Sequence, residues 1–116
     1  MRTPVKSMPD ELEARFARTP IEGETLGLSL MTLDPGFRIP FGHKHPNQEE
    51  VYVVVRGSGR IKVEDEIVEL AQWDAVRIDK DTMRNMEAGA DGIEFLAFGA
   101  GDDPTDAEMT PGWWDD

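Results

Sequence analysis

Apolar residues recur at every second position through much of this chain, and this pattern predicts β-strands. Leu26, Leu28 and Leu30 alternate with smaller or polar residues, which is the spacing that places apolar side chains on one face of a strand. The segment Asp34-Pro35-Gly36 that follows has the composition of a turn. The pattern therefore favours an all-β fold over a helical one.

Further strand candidates follow, separated by polar or glycine-containing turns at the spacing expected of a β-sandwich or barrel. They are Val51–Val55, Arg60–Val63, Ile67–Leu70, Ala75–Ile78, Asn85–Ala88 and Ile93–Phe98. The first two flank Gly57-Ser58-Gly59 and are predicted to form a hairpin. We expect a single β-sandwich or barrel over residues 21–100.

Composition limits both the size of the fold and its partners. A chain of 116 residues with 39% hydrophobic composition suits one domain with one core. The net charge of -12, from 12 Lys+Arg and 24 Asp+Glu, repels nucleic acids and anionic membranes, so neither is an expected partner. The absence of cysteine excludes disulfides, thiolate metal sites and thiol nucleophiles.

The two ends of the chain differ from its middle. Ser7–Arg18 has helical spacing, with Leu12 and Phe16 four residues apart, and predicts a short N-terminal helix within an extension of residues 1–20. Residues 101–116 form an acidic tail with Trp113 and Trp114, which we expect to pack on the barrel or on a partner subunit. The sequence shows no apolar run of the secretory or membrane-spanning type, and a cytoplasmic location is therefore expected.

Both histidines of the chain, His43 and His45, lie one residue apart. On an extended segment their imidazoles share a face, so two nitrogen ligands converge. One carboxylate completes a two-His-one-carboxylate set, which holds Fe(II), Mn(II) or similar ions and leaves coordination positions open. Strand alternation favours Glu49, but Pro46-Asn47 is a turn signal that can reset the register. Spacing alone leaves the third ligand open.

The pattern His-x-His, four residues, Glu, six residues, Gly resembles the first motif of the cupin superfamily. Here it is matched by His43, His45, Glu50 and Gly57. The resemblance covers about residues 26–98 and looks like that of small single-domain cupins of the type 2 conserved-barrel kind. It implies a jelly-roll barrel with Glu50 as the third metal ligand, and it implies a homodimer, because cupins of this size commonly pair through a sheet face.

The second cupin motif is not retained in this chain. Its positions read Gly, Pro, Gly and His in the family and are occupied here by Trp73, Asp79, Asp81 and Arg84. The last difference matters most, because the family's fourth metal ligand is that His and a protonated arginine has no lone pair to donate. The resemblance therefore implies at most three protein ligands for a divalent ion such as Fe, Mn, Zn or Ni.

Three arrangements of Arg84 are compatible with the sequence. Its guanidinium turns away from the metal, displaces the metal by pairing with Glu50, or holds an anionic ligand beside the metal. Tyr52 lies two residues beyond Glu50 on the same strand face and is a candidate hydrogen-bond donor to that ligand, or else a half-buried barrel residue. Trp73 is predicted to pack at a strand entrance, and core packing is predicted for Phe37, Phe41, Met83, Met86 and Phe95.

Two functions follow as hypotheses. In the first, His43, His45 and Glu50 bind a divalent metal, and Arg84 steers a small anionic organic ligand toward it. In the second, the barrel is metal-free, with Arg84 paired to Glu50, and serves in ligand binding or structure. The resemblance covers oxygenases, isomerases, decarboxylases and simple binding proteins, so it leaves the reaction and even catalysis itself open.

Overall fold

Strands make up nearly all of the regular structure. The computed structural model describes residues 14–101 and 106–114, which contain eight strands and no helix. The strands are β1 (Ala14–Phe16), β2 (Leu26–Leu33), β3 (Phe41–Lys44), β4 (Glu49–Val63), β5 (Glu66–Leu70), β6 (Ala75–Ile78), β7 (Arg84–Ala100) and β8 (Glu108–Pro111). The predicted all-β class is confirmed.

Two long strands, β4 and β7, hold the sheet together. They pair antiparallel from Glu49↔Ala100 to Val63↔Arg84. The first part of β4 and the last part of β7 form one half of the sheet with β1, β2 and β6, and their remaining parts form the other half with β3, β5 and β8. Residues from both halves line one cavity, so the sheet curls over on itself.

Irregular pairing in the middle of β4 changes which residues face inward. The register shifts twice between Val54 and Gly59, and each irregularity alters the alternation of inward and outward side chains. Tyr52 and Val54 are buried before the shifts, whereas Ile61 is buried after them. Both parts of the strand thereby present apolar side chains to one interior.

The hairpin predicted around Gly57 and Gly59 is wrong, because β4 runs through both glycines without reversing. Gly57 has a φ of +78°, and a Cβ there would lie 2.1 Å from the carbonyl oxygen of Gly92. The glycine thus allows the chain to bend against β7 rather than to turn back. In the same way β7 joins the strands predicted at Asn85–Ala88 and Ile93–Phe98. The reversal falls between β4 and β5.

The apolar core lies inside the curled sheet. Its buried members are Leu33, Tyr52, Val54, Ile61, Leu70, Ile78, Met86, Ala88, Ile93, Phe95 and Ala97. Met86 and Phe95 belong to this core, as predicted, and they also line the cavity. Trp73 does not pack as predicted: its surface is 68% exposed, and its φ of +72° places it in the turn before β6.

The predicted N-terminal helix is not found among the described residues. Residues 1–13 of that prediction lie outside the described ranges, while Ala14–Phe16 form β1 and pair antiparallel with β2. A helix of this length is marginal in water unless packing supports it, whereas a strand added to β2 obtains backbone hydrogen bonds at once. The helical prediction is therefore wrong for Ala14–Phe16.

The tail after residue 105 is built into the sheet of its own chain. β8 pairs antiparallel with β3 along its whole length. The ring of Trp114 lies against two guanidinium groups, with the Cζ atoms of Arg38 and Arg60 at 4.3 and 4.8 Å from its centroid, a cation–π arrangement. Trp113 covers Gly42, where a Cβ would come within 2.9 Å of the indole. Within the described ranges, no helix long and apolar enough to cross a membrane occurs.

The close approach at Gly57 predicts a large difference between two glycine substitutions. Gly36 also has a positive φ, +72°, but a Cβ there would meet nothing within 4 Å. We expect Gly36→Ala to lower the free energy of unfolding by about 1 kcal/mol, for the backbone conformation alone, and Gly57→Ala to lower it by about 3 kcal/mol, because a steric clash is added. Urea unfolding of both variants measures this, and equal losses would contradict it.

Candidate metal centre

His43 and His45 are presented by the end of β3. His43 lies within that strand and pairs with Arg84 of β7 on one edge and with Met109 of β8 on the other. The two imidazole rings are edge to face, with centroids 5.2 Å apart and an interplanar angle of 88°, and both histidines line the cavity. The expectation that the rings share one side of the chain is confirmed.

A turn after His45 decides which glutamate reaches the histidines. The backbone N–H of Gln48 donates to the carbonyl of His45 at 3.4 Å and closes a turn over residues 45–48. This turn resets the alternation of side chains before β4 begins. The side chain of Glu50 is 14% exposed and lines the cavity, whereas that of Glu49 is 54% exposed and pairs with Arg77. The structure therefore brings Glu50, and not Glu49, to the histidines.

One donor atom from each of His43, His45 and Glu50 lies within 4.8 Å of the other two. The Nε2 atom of His45 is 3.7 Å from Oε1 of Glu50, which is too long for a hydrogen bond. The two atoms therefore face each other without a hydrogen bond between them. Two imidazoles and one carboxylate suit Fe, Mn, Zn or Ni, and the donor set fits a divalent ion.

Arg84, at the sequence position of the histidine in the second cupin motif, lies against this cluster. Its side chain is 1% exposed, its Nη2 forms an ion pair with Oε1 of Glu50, and its Nη1 donates to the carbonyl of Thr82 at 3.1 Å. Burial lowers the pKa of Arg84 to about 10, although Asp106 opposes this. The guanidinium is still charged at neutral pH, and it faces the cluster instead of turning away.

Tyr52 connects the arginine to the glutamate. Its hydroxyl accepts a hydrogen bond from Nε of Arg84 at 3.1 Å and donates one to Oε1 of Glu50 at 3.2 Å. Burial raises the pKa of this phenol above its ordinary value, so it stays protonated. The single hydroxyl proton is already used within the protein, and Tyr52 would have to exchange partners to donate to a ligand.

Asp106, which the sequence did not single out, completes the surroundings of His45. Its Oδ1 lies 2.7 Å from Nδ1 of His45 and accepts from the Gln48 amide at 2.8 Å, while its Oδ2 accepts from the backbone N–H of Asn47 at 2.8 Å. Burial raises the pKa of Asp106, but the hydrogen bonds from His45, Asn47 and Gln48 outweigh it and lower the pKa overall. Asp106 lies 61 residues from His45 in the sequence, so no pattern near the histidines indicates this contact.

The cavity beside these groups has a volume of about 260 Å³. Its polar end holds the histidines, Glu50, Tyr52 and Arg84. The remainder is mainly apolar: besides Ser29 and Asn85 it comprises Met31, Ile39, Phe41, Met86, Phe95, Ala97, Ala107 and Met109. The volume of the cavity is slightly below the roughly 300–1,000 Å³ typical of ligand pockets. The space therefore suits a small molecule with one polar end.

The comparisons with known proteins agree with this architecture. The family model for the cupin domain matches residues 29–96, which is more than half of the chain. The chain belongs to the cupin family. Among curated proteins, none matches this cupin significantly.

Solved structures extend the likeness. A cupin protein from Bacteroides fragilis is 27% identical over 87% of this chain and 86% of that one, with a TM-score of 0.78. Oxalate decarboxylase from Bacillus subtilis, for which Mn(II) centres are described, is 23% identical with a TM-score of 0.77, over 88% of this chain and 30% of that enzyme. The DMSP lyase DddQ from Ruegeria pomeroyi is 22% identical with a TM-score of 0.69, over 79% and 46%. This cupin spans less than half of either enzyme, and both likenesses concern the fold.

The burial of His43 predicts a specific pH dependence of stability in the metal-free protein. Desolvation, with Arg84 and His45 adding repulsion, lowers the pKa of His43 from 6.5 to about 3. Between those values the unfolded chain binds the extra proton and the folded one does not, so acidification favours unfolding by up to about 1.4 kcal/mol per pH unit from this group.

We expect His43→Gln to remove the part of the pH dependence of the unfolding free energy that His43 contributes. Urea unfolding of parent and variant from pH 4 to pH 7.5 measures it. The difference in unfolding free energy between the two proteins should change below pH 6.5 and stay constant above it. If the unfolding free energies of parent and variant ran parallel from pH 4 to pH 7.5, the lowered pKa of His43 would be contradicted.

Proposed function

We propose that this cupin binds a divalent metal ion through His43, His45 and Glu50 and takes a small organic anion next to it. The observation that carries the proposal is the convergence of the three donor atoms within 4.8 Å of one another. Because its pKa lies near 3, His43 is neutral at pH 7 and its ring nitrogen is available to a metal. When bound, such an ion acts as a Lewis acid with open coordination positions.

Arg84 makes the site different from a simple three-ligand centre. A guanidinium and a dication 4 Å apart repel by about 8 kcal/mol at an effective dielectric constant of 20, so the metal needs a compensating negative charge. Glu50 supplies one such charge, and it already pairs with Arg84. With a metal held by Glu50, Nη2 of Arg84 would be available to an anionic ligand, whose charge would offset the remaining repulsion.

The cavity indicates the class of that ligand. Its polar end carries one guanidinium, and its walls are mostly aliphatic, aromatic or thioether side chains over about 260 Å³. A carboxylate with a short apolar body matches both ends: the charge faces Arg84 and the carbon chain contacts residues such as Met31 and Phe95. The proposal names no reaction.

A second candidate is favoured by the ion pair itself. Arg84 is 1% exposed and holds Glu50 through Nη2, with Tyr52 bonded to both residues. A guanidinium in this position stands in for a metal, in a ligand-binding or structural barrel with no ion. Breaking such a buried pair costs about 3–5 kcal/mol, and a metal must offset that loss to bind.

Metal titration separates the two candidates. We expect calorimetry of the chelator-treated protein with Mn(II), Zn(II) or Ni(II) to show one ion per chain. His43→Ala should weaken binding at least about a hundredfold, because loss of a ligand exceeds the effect of losing an outer-shell partner. Glu49→Gln should leave the affinity unchanged and controls for non-specific binding to this acidic chain.

The opposite outcome is equally specific. Equally weak metal binding by the parent and by His43→Ala would overturn the metal proposal. A gain of affinity in Arg84→His, starting from a parent with none, would then establish the second candidate.

The anion preference is tested with butyrate and its uncharged analogue butyramide on the metal-loaded protein. We expect calorimetry to show butyrate binding at least tenfold more tightly, since a hydrogen bond to a charged group contributes about 1.5–3 kcal/mol. Arg84→Gln should lose this preference, whereas Arg77→Gln, at an exposed arginine outside the cavity, should keep it. Thermal melting checks that both variants fold, and equal affinities in the parent would contradict the proposal.

The homodimer and the cytoplasmic location expected from the sequence stay predictions. Among the described residues the sheet ends in strands whose outer edges are unpaired, β1 and β6 in one half and β5 and β8 in the other, and such an edge offers backbone groups with which another chain is able to pair.

A further inference from the structure

A carboxylate from the tail is held against the outer nitrogen of His45. Asp106 lies just before β8, its side chain is 7% exposed, and its Oδ1 is 2.7 Å from Nδ1 of His45. Two further donors fix its direction, the side-chain amide of Gln48 and the backbone N–H of Asn47, each at 2.8 Å. Three hydrogen-bonding partners around one nearly buried carboxylate hold it in a defined position, unlike a chance surface contact.

The contact determines where the imidazole proton resides. An ionised carboxylate only accepts hydrogen bonds, so a ring nitrogen 2.7 Å away must carry the proton. A bare Nδ1 would instead place its lone pair against the Asp106 oxygen. The Gln48 amide nitrogen is farther away, 3.2 Å from Nδ1, and as a donor it cannot accept the ring proton. Its second N–H would pair only with a bare Nδ1, in a longer and uncharged hydrogen bond that competes poorly with the charge-assisted contact to Asp106 at 2.7 Å.

The other ring nitrogen faces the opposite way. Nε2 of His45 points to Glu50 across 3.7 Å, toward the cluster of metal-ligating atoms. In a neutral imidazole a proton on Nδ1 leaves the Nε2 lone pair free. The orientation of the ring and the place of its proton therefore both follow from the contact with Asp106.

We propose that Asp106 is a positioning residue that fixes His45 in the Nδ1–H form and presents the Nε2 lone pair to the metal pocket. Its use in metal binding rests on the proposed function, but the tautomer is a property of the metal-free protein and is independent of it. Asp106 thereby makes the tail part of the site: the segment that packs β8 against β3 also sets the donor atom of one ligand.

The test uses Asp106→Asn, which keeps the shape of the side chain but adds an N–H donor. An asparagine amide can donate to Nδ1 and so favours the Nε2–H form, in which no lone pair faces the pocket. Glu108→Gln is the matched control, because it removes one negative charge from the same tail at an exposed position outside the cavity.

Nitrogen-15 NMR of the imidazole rings in metal-free protein at pH 8 reports the tautomer directly. We expect His45 in the Nδ1–H form in the parent and in Glu108→Gln, and a shift toward the Nε2–H form in Asp106→Asn. An Nε2–H form in the parent, or an unchanged tautomer in Asp106→Asn, would overturn the proposal. If Asp106→Asn fails to fold, the tautomer of His45 in the parent still tests the proposal, because an Nε2–H form there would overturn it.

Metal titration provides the second readout. Asp106→Asn is expected to weaken binding of Mn(II) by about 10–100-fold relative to the parent, while Glu108→Gln leaves it unchanged. If the parent binds no metal, the proposed function fails but the tautomer result stands on its own. If the parent binds metal and Asp106→Asn binds it equally well, the positioning role is refuted.

Discussion

The antiparallel ladder between β4 and β7 is the interaction on which the rest of the molecule depends. Every other described strand pairs with one of these two strands or with a strand that does. Register shifts between Val54 and Gly59 let both halves of the ladder turn apolar side chains inward despite the two-residue period of a strand. The ladder also brings Glu50, near the start of β4, and Arg84, at the start of β7, to the same cavity.

The cavity combines a charged end with a mainly apolar wall, and this arrangement is costly unless its charges are paired. The Arg84–Glu50 ion pair, with Tyr52 bonded to both partners, satisfies them in the metal-free protein. A divalent ion bound as proposed would compete with Arg84 for Glu50. Under the proposed function, metal binding, anion binding and the stability of this end of the sheet would thus be coupled through one carboxylate.

The tail gives the site a feature that the cupin domain match, ending at residue 96, does not include. Asp106 holds the outer nitrogen of His45, while Trp113 and Trp114 pack against the half of the sheet that carries β3. Packing and ligand orientation therefore share one segment. Similarity to enzymes such as oxalate decarboxylase concerns the fold, and the function proposed for this cupin depends on its own groups around His45 and Arg84.

The alternation of apolar residues by itself determined the all-β class, and His43-Lys44-His45 by itself determined that two imidazoles share a face, because both patterns act through neighbours in sequence. The choice of Glu50 over Glu49 came from the family motif, and a turn after His45 explains it. Only the tertiary structure decided that β4 passes straight through Gly57, that Arg84 pairs with Glu50, and that Asp106 faces His45. These outcomes depend on strand pairing between residues far apart in the chain, and local spacing carries no information about which distant carboxylate the folded sheet delivers.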